Sequence, residues 1–240
     1  MPNEIPSHIV KSYSGDLKRL REMIARMGGL AERQVADSAD ALIRRDTTLA
    51  AEVVSRDMLL DNMEREIEQF CIRLLALRQP MAADLRLIIA CMKISQDLER
   101  IGDYARNGAK RAMIVSAQPL VGSMNGFERM AELVQDNLKG AIDALVEDDA
   151  EKADAVWRND EPIDGIYNGI FRELLTFMME DPRNITSATH LLFVAKNMER
   201  IGDHATNIAE TVHYAVRGES LPDDRPKADM SASAVVRPLG

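Results

Sequence analysis

Two stretches, Gln96–Asn107 "QDLERIGDYARN" and Lys196–Asn207 "KNMERIGDHATN", carry the same pentapeptide, ERIGD, at an interval of 100 residues in a chain of 240. A word that returns at such an interval marks a repeated structural unit, here about half the chain. The residues around each copy say what that unit is. Ile94, Leu98, Ile101, Ala105, Gly108 and Ala112 recur at alternating steps of four and three, and Val194, Met198, Ile201, Ala205, Ile208 and Val212 repeat the pattern. That period draws one apolar stripe along a helix, so both copies of ERIGD sit on long amphipathic helices.

The segments before them carry matching stripes: Leu60, Met63, Ile67, Phe70 and Leu74, then Ile163, Ile166, Ile170, Leu174 and Phe177. Pro80, Pro119 and Pro182 stand between periodic segments, and proline ends a helix by removing a donor and crowding the preceding turn. The spacing predicts helices over 16–45, 47–79, 82–115, 124–147, 149–180 and 184–216. Short connections at Gln79-Pro80 and Asp181-Pro182 make the neighbouring helices antiparallel. The expected fold is all-α, two tandem three-helix bundles in series over residues 16–117 and 123–216. An N-terminal extension, 1–15, precedes them, and a tail, 217–240, without apolar periodicity reads as disordered. A coiled-coil dimer shares the periodicity, but prolines at these intervals favour a chain folded back on itself.

Hydrophobic residues make up 46% and aromatics 4%, with 14 Met and 29% charged residues, a mixture suited to helices with aliphatic cores. The formal charge of −9 gives no overall attraction to nucleic acid or anionic lipid. The opening "MPNEIPSHIV" lacks the pattern of a signal peptide, and no apolar run approaches the roughly 20 residues of a membrane span. A cytoplasmic protein is expected, meeting membranes only through partners. Cys71 and Cys91 fall in apolar-periodic segments without CxxC spacing and read as reduced core thiols.

Glu99 and Asp103 lie on one turn of the polar side of their helix, and Asp57 and Asp61 stand four apart on the helix before it. With the turn at Pro80 as a mirror, Asp57 falls level with Asp103 and Asp61 with Glu99. Asp160, Asp164, Glu199 and Asp203 repeat this about the turn at Pro182. Packed helices lie about 8–10 Å apart, so the four carboxylates of each half can meet along one groove. Like charges about 5 Å apart repel by on the order of 1–3 kcal/mol per pair near a protein surface. Protonation, or nearby Arg100 and Arg200, could relieve this, and a multivalent cation gains from all four acids together. All-oxygen ligation suits Mg²⁺, Mn²⁺, Ca²⁺ and iron. An ordinary solvated face is the competing reading. Gly102 and Gly202 flank the stripe, where a missing side chain lets another helix approach.

A ferritin-like di-iron oxidase also uses carboxylates and a Glu-x-x-His pair, and Glu210 to His213 has that spacing. Its repeat counterparts are Lys110 and Met113, and the acids read as pointing away from the core. His8, His190 and His204 stand at no recognisable spacing from a nucleophile, and "RMGGLAE" at Arg26–Glu32 reads as a kink rather than a phosphate cradle. The chain is therefore expected not to be an enzyme, with a carboxylate-bridged metal-storage or redox protein as the alternative.

"DMLLD" with "DLERIGDYARN", and "DEPID" with "NMERIGDHATN", resemble the PhoU family of phosphate-signalling regulators over roughly residues 16–216. The resemblance implies a cytoplasmic, often dimeric adaptor that restrains the phosphate-starvation response, the Pho regulon. Such an adaptor connects the ATPase subunit of the phosphate ABC transporter with a sensor histidine kinase. It also implies multinuclear iron, or other ions such as manganese, magnesium or zinc, on the acidic motifs. Carried onto this sequence, those positions are Asp57, Asp61, Glu99 and Asp103, then Asp160, Asp164, Glu199 and Asp203. Pro162 departs from the pattern, since it deletes a helical hydrogen bond between Asp160 and Asp164.

Overall fold

A computed structural model describes residues 7–159 and 161–222. Its helices are α1 (Ser7–Ile43), α2 (Thr47–Arg78), α3 (Ala82–Ser116), α4 (Asn125–Glu147), α5 (Ala150–Arg158), α6 (Glu161–Glu180) and α7 (Ile185–Arg217), with a 3₁₀ turn at Pro182–Asn184. The all-α fold and its repeat are as the periodicity predicts. α1 begins at Ser7 rather than at residue 16, so part of the expected extension is helix. Residues 1–6, and 223–240 of the expected disordered tail, lie outside the described residues.

The turn between the first two helices of each half is built twice from the same parts. Arg45 and Asp148 adopt left-handed backbone angles, φ 56° and 54°, which end α1 and α4. The next residue in each case, Asp46 or Asp149, caps the following helix. Asp46 Oδ1 accepts from the amides of Thr48 and Leu49 at 2.9 and 3.0 Å, and Asp149 Oδ1 from Lys152 at 3.0 Å. Each cap satisfies helix-end donors that would otherwise have no partner.

One expected helix, 149–180, is two. α5 ends at Arg158 and α6 starts at Glu161, with Pro162 in the first turn of α6. There its missing amide costs nothing, because that amide has no partner inside the helix. Asn159 and Asn137 of α4 fasten the break: Asn137 Nδ2 donates to the Asn159 carbonyl at 3.2 Å, and Asn159 Nδ2 to Asn137 Oδ1 at 3.0 Å.

The bundles are tandem in sequence but do not lie in series. α3 and α7 run antiparallel along each other, with Asp97 beside His204 and Arg111 beside His190. α1 and α4 do the same, with Arg21 beside Asp148 and Gly28 against Ile142. One continuous core threads both halves, including Ile24, Leu98, Ile101, Met130, Leu138 and Ile208. Each fully buried aliphatic side chain of this size contributes roughly 1.5–3 kcal/mol.

α3 explains the difference. It buries adjacent pairs, Leu87-Ile88, Ile94-Ser95, Ile101-Gly102 and Gly108-Ala109, so its covered face is wider than one stripe and serves its own bundle and α7 together. A consequence of the antiparallel seam is that the α2–α3 turn and the α6–α7 turn project from opposite ends. Among the described residues no helix is long and apolar enough to cross a membrane. Cys71 and Cys91 are buried free thiols. Burial pushes the Cys71 thiol up to about 12, which leaves it unreactive near neutrality.

Candidate functional site

The first acidic groove lies between α2 and α3, and a glycine sets how closely they meet. A Cβ on Gly102 would stand 2.3 Å from Leu60 Cδ1, and one on Gly202 would stand 3.0 Å from Ile163 Cδ1. Leu60 and Ile163 immediately precede Asp61 and Asp164. The glycine of ERIGD thus closes each hairpin at the level of its acids, the close approach expected of it.

Asp57 is 6% exposed. Arg106 of α3 donates through Nη1 to Asp57 Oδ2, and its Nη2 lies 2.8 Å from Asp103 Oδ1 in an ion pair. One guanidinium therefore spans both helices, and Asp57 and Asp103 stand level, as the mirror at Pro80 requires. Toward the turn, Glu99 Oε2 lies 3.7 Å from Arg100 Nε and Asp61 Oδ2 lies 3.9 Å from Arg65 Nη2.

The carboxyls feel one another. Burial raises the Asp57 pKa above the ordinary value, the charge and hydrogen bond of Arg106 oppose it, and Asp103 and Asp61 add to it. Glu99 is also raised, by burial first and then by Asp103, with Arg100 opposing and Glu64 and Asp61 adding. Glu64 is raised by burial, Glu68 and Asp61. It extends the acidic row, and its place three residues after Asp61 on one helical face was the signal for it.

Three of the acids do not point away from the core. Asp57, Asp164 and Glu199 are buried, at 6%, 5% and 6% exposure. A helical wheel measures angles from one apolar stripe, whereas the second helix of the hairpin covers the flank beside that stripe.

The second groove is neutralised differently. Lys196 Nζ lies 2.8 Å from Glu199 Oε1 and 4.9 Å from the centre of the Tyr167 ring. The repeat counterpart of Arg106 is Thr206, whose hydroxyl donates to the Gly202 carbonyl at 3.1 Å, and the counterpart of Lys196 is Gln96. Each half thus draws its cation from a non-equivalent position. Asp203 is half-buried beside this groove, and Asp160, expected to complete the quartet, lies outside the described residues. Arg200 does not clamp these acids: it donates to the Tyr104 hydroxyl at 3.2 Å, on the seam where His204 pairs with Asp97 at 2.7 Å.

Among the described residues no group of three or more His, Cys, Asp or Glu side chains is arranged to hold a metal ion. In the first groove the reason is visible, because a guanidinium sits between Asp57 and Asp103; this donor set does not fit a metal as it stands. Glu210 and His213 are engaged with α5. Glu210 Oε1 accepts from Trp157 Nε1 at 2.9 Å, and His213 Nδ1 pairs with Asp154 Oδ1 at 2.6 Å.

Residues 24–112 and 127–212, one segment in each half, match the family model of the PhoU domain. The chain belongs to the PhoU family. Each matched segment of this PhoU protein carries one acidic groove. The phosphate-specific transport system accessory protein PhoU homolog of Caulobacter vibrioides is 54% identical over 224 residues, which is 93% of this chain and 97% of the relative. The PhoU homolog of Rhizobium meliloti is 49% identical over 228 residues, 95% of this chain and 96% of the relative. The crystal structure of PhoU from Pseudomonas aeruginosa aligns with a TM-score of 0.82 at 42% identity, over 86% of this chain and 100% of that one. That of the phosphate transport system regulatory protein PhoU from Streptococcus pneumoniae also gives 0.82, at 28% identity, over 88% and 99%.

Proposed function

We propose that this PhoU protein is a non-enzymatic cytoplasmic adaptor that restrains the phosphate-starvation response. In this reading it binds the ATPase subunit of the phosphate ABC transporter and a sensor histidine kinase, acts as a homodimer, and holds the kinase inhibitory when phosphate is plentiful. The observation that carries the reading is the match to accessory proteins of phosphate-specific transport over nearly the whole of both chains, at 54% and 49% identity. Physical features support it. Long helices with charged outer faces present extended docking surfaces, and the formal charge of −9 favours basic partner surfaces.

Cation loading belongs to the same proposal, with a divalent or ferric ion at the second groove, Asp160, Asp164, Glu199 and Asp203, biasing partner affinity. There the local charge comes from a lysine, a flexible point charge that yields its place more readily than an arginine fork. The storage or redox alternative has no support from the Glu-x-x-His spacing, since Glu210 and His213 turn to α5 rather than to the acids.

The test pairs genetics with binding. Deleting the gene should derepress a phosphate-starvation reporter in ample phosphate. The purified chain should bind the purified transporter ATPase and the kinase's cytoplasmic region, more weakly as salt rises. A reporter that stays repressed together with no binding to either protein overturns the adaptor reading, and turnover of ferrous iron with oxygen would favour the redox one.

A further inference from the structure

We infer that Arg106 is a built-in cation standing where a multivalent ion would, so that the two acidic grooves are not equivalent and the first takes no metal while that side chain is in place. Two of its nitrogens grip carboxylates on two helices, Asp57 on α2 and Asp103 on α3. A guanidinium keeps its charge at every accessible pH, and its fork matches carboxylate oxygens in a way no lysine does. The pair with Asp57 is largely out of water, with side-chain exposures of 28% for Arg106 and 8% for Asp57. An incoming hydrated ion would have to break a charge-assisted hydrogen bond to Asp57 and an ion pair to Asp103, and leave the displaced guanidinium beside its own charge.

The groove is also narrow. α2 and α3 are so close at the next level that a methyl group on Gly102 would overlap Leu60. In the second half Thr206 occupies the position equivalent to Arg106 and turns its hydroxyl to the Gly202 carbonyl, and Lys196, from another position, pairs with Glu199. The repeat has therefore kept its acids while its two grooves have diverged in what neutralises them. This inference narrows the cation-loading reading above and is independent of the adaptor role.

The experiment is Mn²⁺ binding to the full chain, read as the loss of the free-ion paramagnetic resonance signal, for wild type, Asp57→Asn, Arg106→Thr and the double variant. Wild type and Asp57→Asn should bind the same number of equivalents. Arg106→Thr, which installs the residue of the second half, should gain at least one more, and the double variant should lose that gain. Binding by wild type that falls on Asp57→Asn overturns the inference, as does an Arg106→Thr chain of unchanged circular dichroism that gains nothing. If Arg106→Thr loses its helical signal, the comparison of wild type with Asp57→Asn decides alone. Absence of Mn²⁺ binding by wild type, with a gain in Arg106→Thr, would sink cation loading of the native chain while leaving the role of Arg106 intact.

Discussion

Arg106 and Gly102 act on the same short stretch of the first hairpin, one through charge and the other through absence of bulk. Replacing Arg106 by Met leaves Asp57 buried without its partner. Breaking a fully buried pair costs about 3–5 kcal/mol, and the partial exposure of Arg106 reduces the expected loss to about 2–3 kcal/mol at pH 7 by urea unfolding. The pH dependence has a definite sign. Asp57 is raised in the folded chain, so its contribution is most favourable below the ordinary carboxylate range and is lost as pH rises through its folded pKa. Without Arg106, which holds that value down, the loss grows. The variant's deficit should therefore be largest at neutral pH and shrink as pH falls into the carboxylate range; a deficit independent of pH contradicts this.

Also at this scale, Gly102→Ala should destabilise by about 1–3 kcal/mol through overpacking against Leu60, and Leu60→Ala should relieve part of it in a double-mutant cycle. A Cβ at Gly202 meets the tip of Ile163 at 3.0 Å and otherwise makes ordinary contacts at 3.5 and 3.9 Å, so in Gly202→Ala the gain of about 1 kcal/mol in helix propensity should leave the variant near wild type. The register of Asp57 with Asp103 and the purpose of the glycines were legible in the sequence. Arg106 was legible only as a neighbour of Asp103 three residues on; its reach across to Asp57 depends on how far the hairpin closes, which no spacing records.

Among the elements, the α5–α6 break shows what a sequence reveals in part. Pro162 marks the disturbance, but the end of α5 is set by Asn137, a buried side chain on another helix that holds the Asn159 carbonyl. Asn137→Ala strands these partners in a poorly hydrated place, and a loss of about 1–3 kcal/mol is expected in thermal or urea unfolding. Stability equal to wild type would show that Pro162 suffices. The breadth of the α3 interface was hidden for a related reason. Ser95 and Ala109, beside the stripe rather than on it, register weakly on a hydropathy pattern, although both are buried.

Over the whole molecule, the seam between α3 and α7 joins the halves through one shared core despite their repeat. A chain divided between Gln118 and Met124 should give two fragments without cooperative unfolding of their own, because each exposes half of a shared core, and mixing them should restore a single urea transition. Two fragments that each melt sharply alone would refute this. The sequence showed two units and their order; that they lie flank to flank was not readable, since periodicity reports that a face is covered and not by what.

The head-to-tail run of α3 and α7 also sets a reach. Helices of 35 and 33 residues at about 1.5 Å per residue are roughly 50 Å long, so the two hairpin tips stand about that far apart. One tip bares Leu77 and Met81, and the other Met179 and Ile185. Two proteins anchored on opposite tips would hold their contact points about that far apart, with the rod between them to carry a twist or slide along its length.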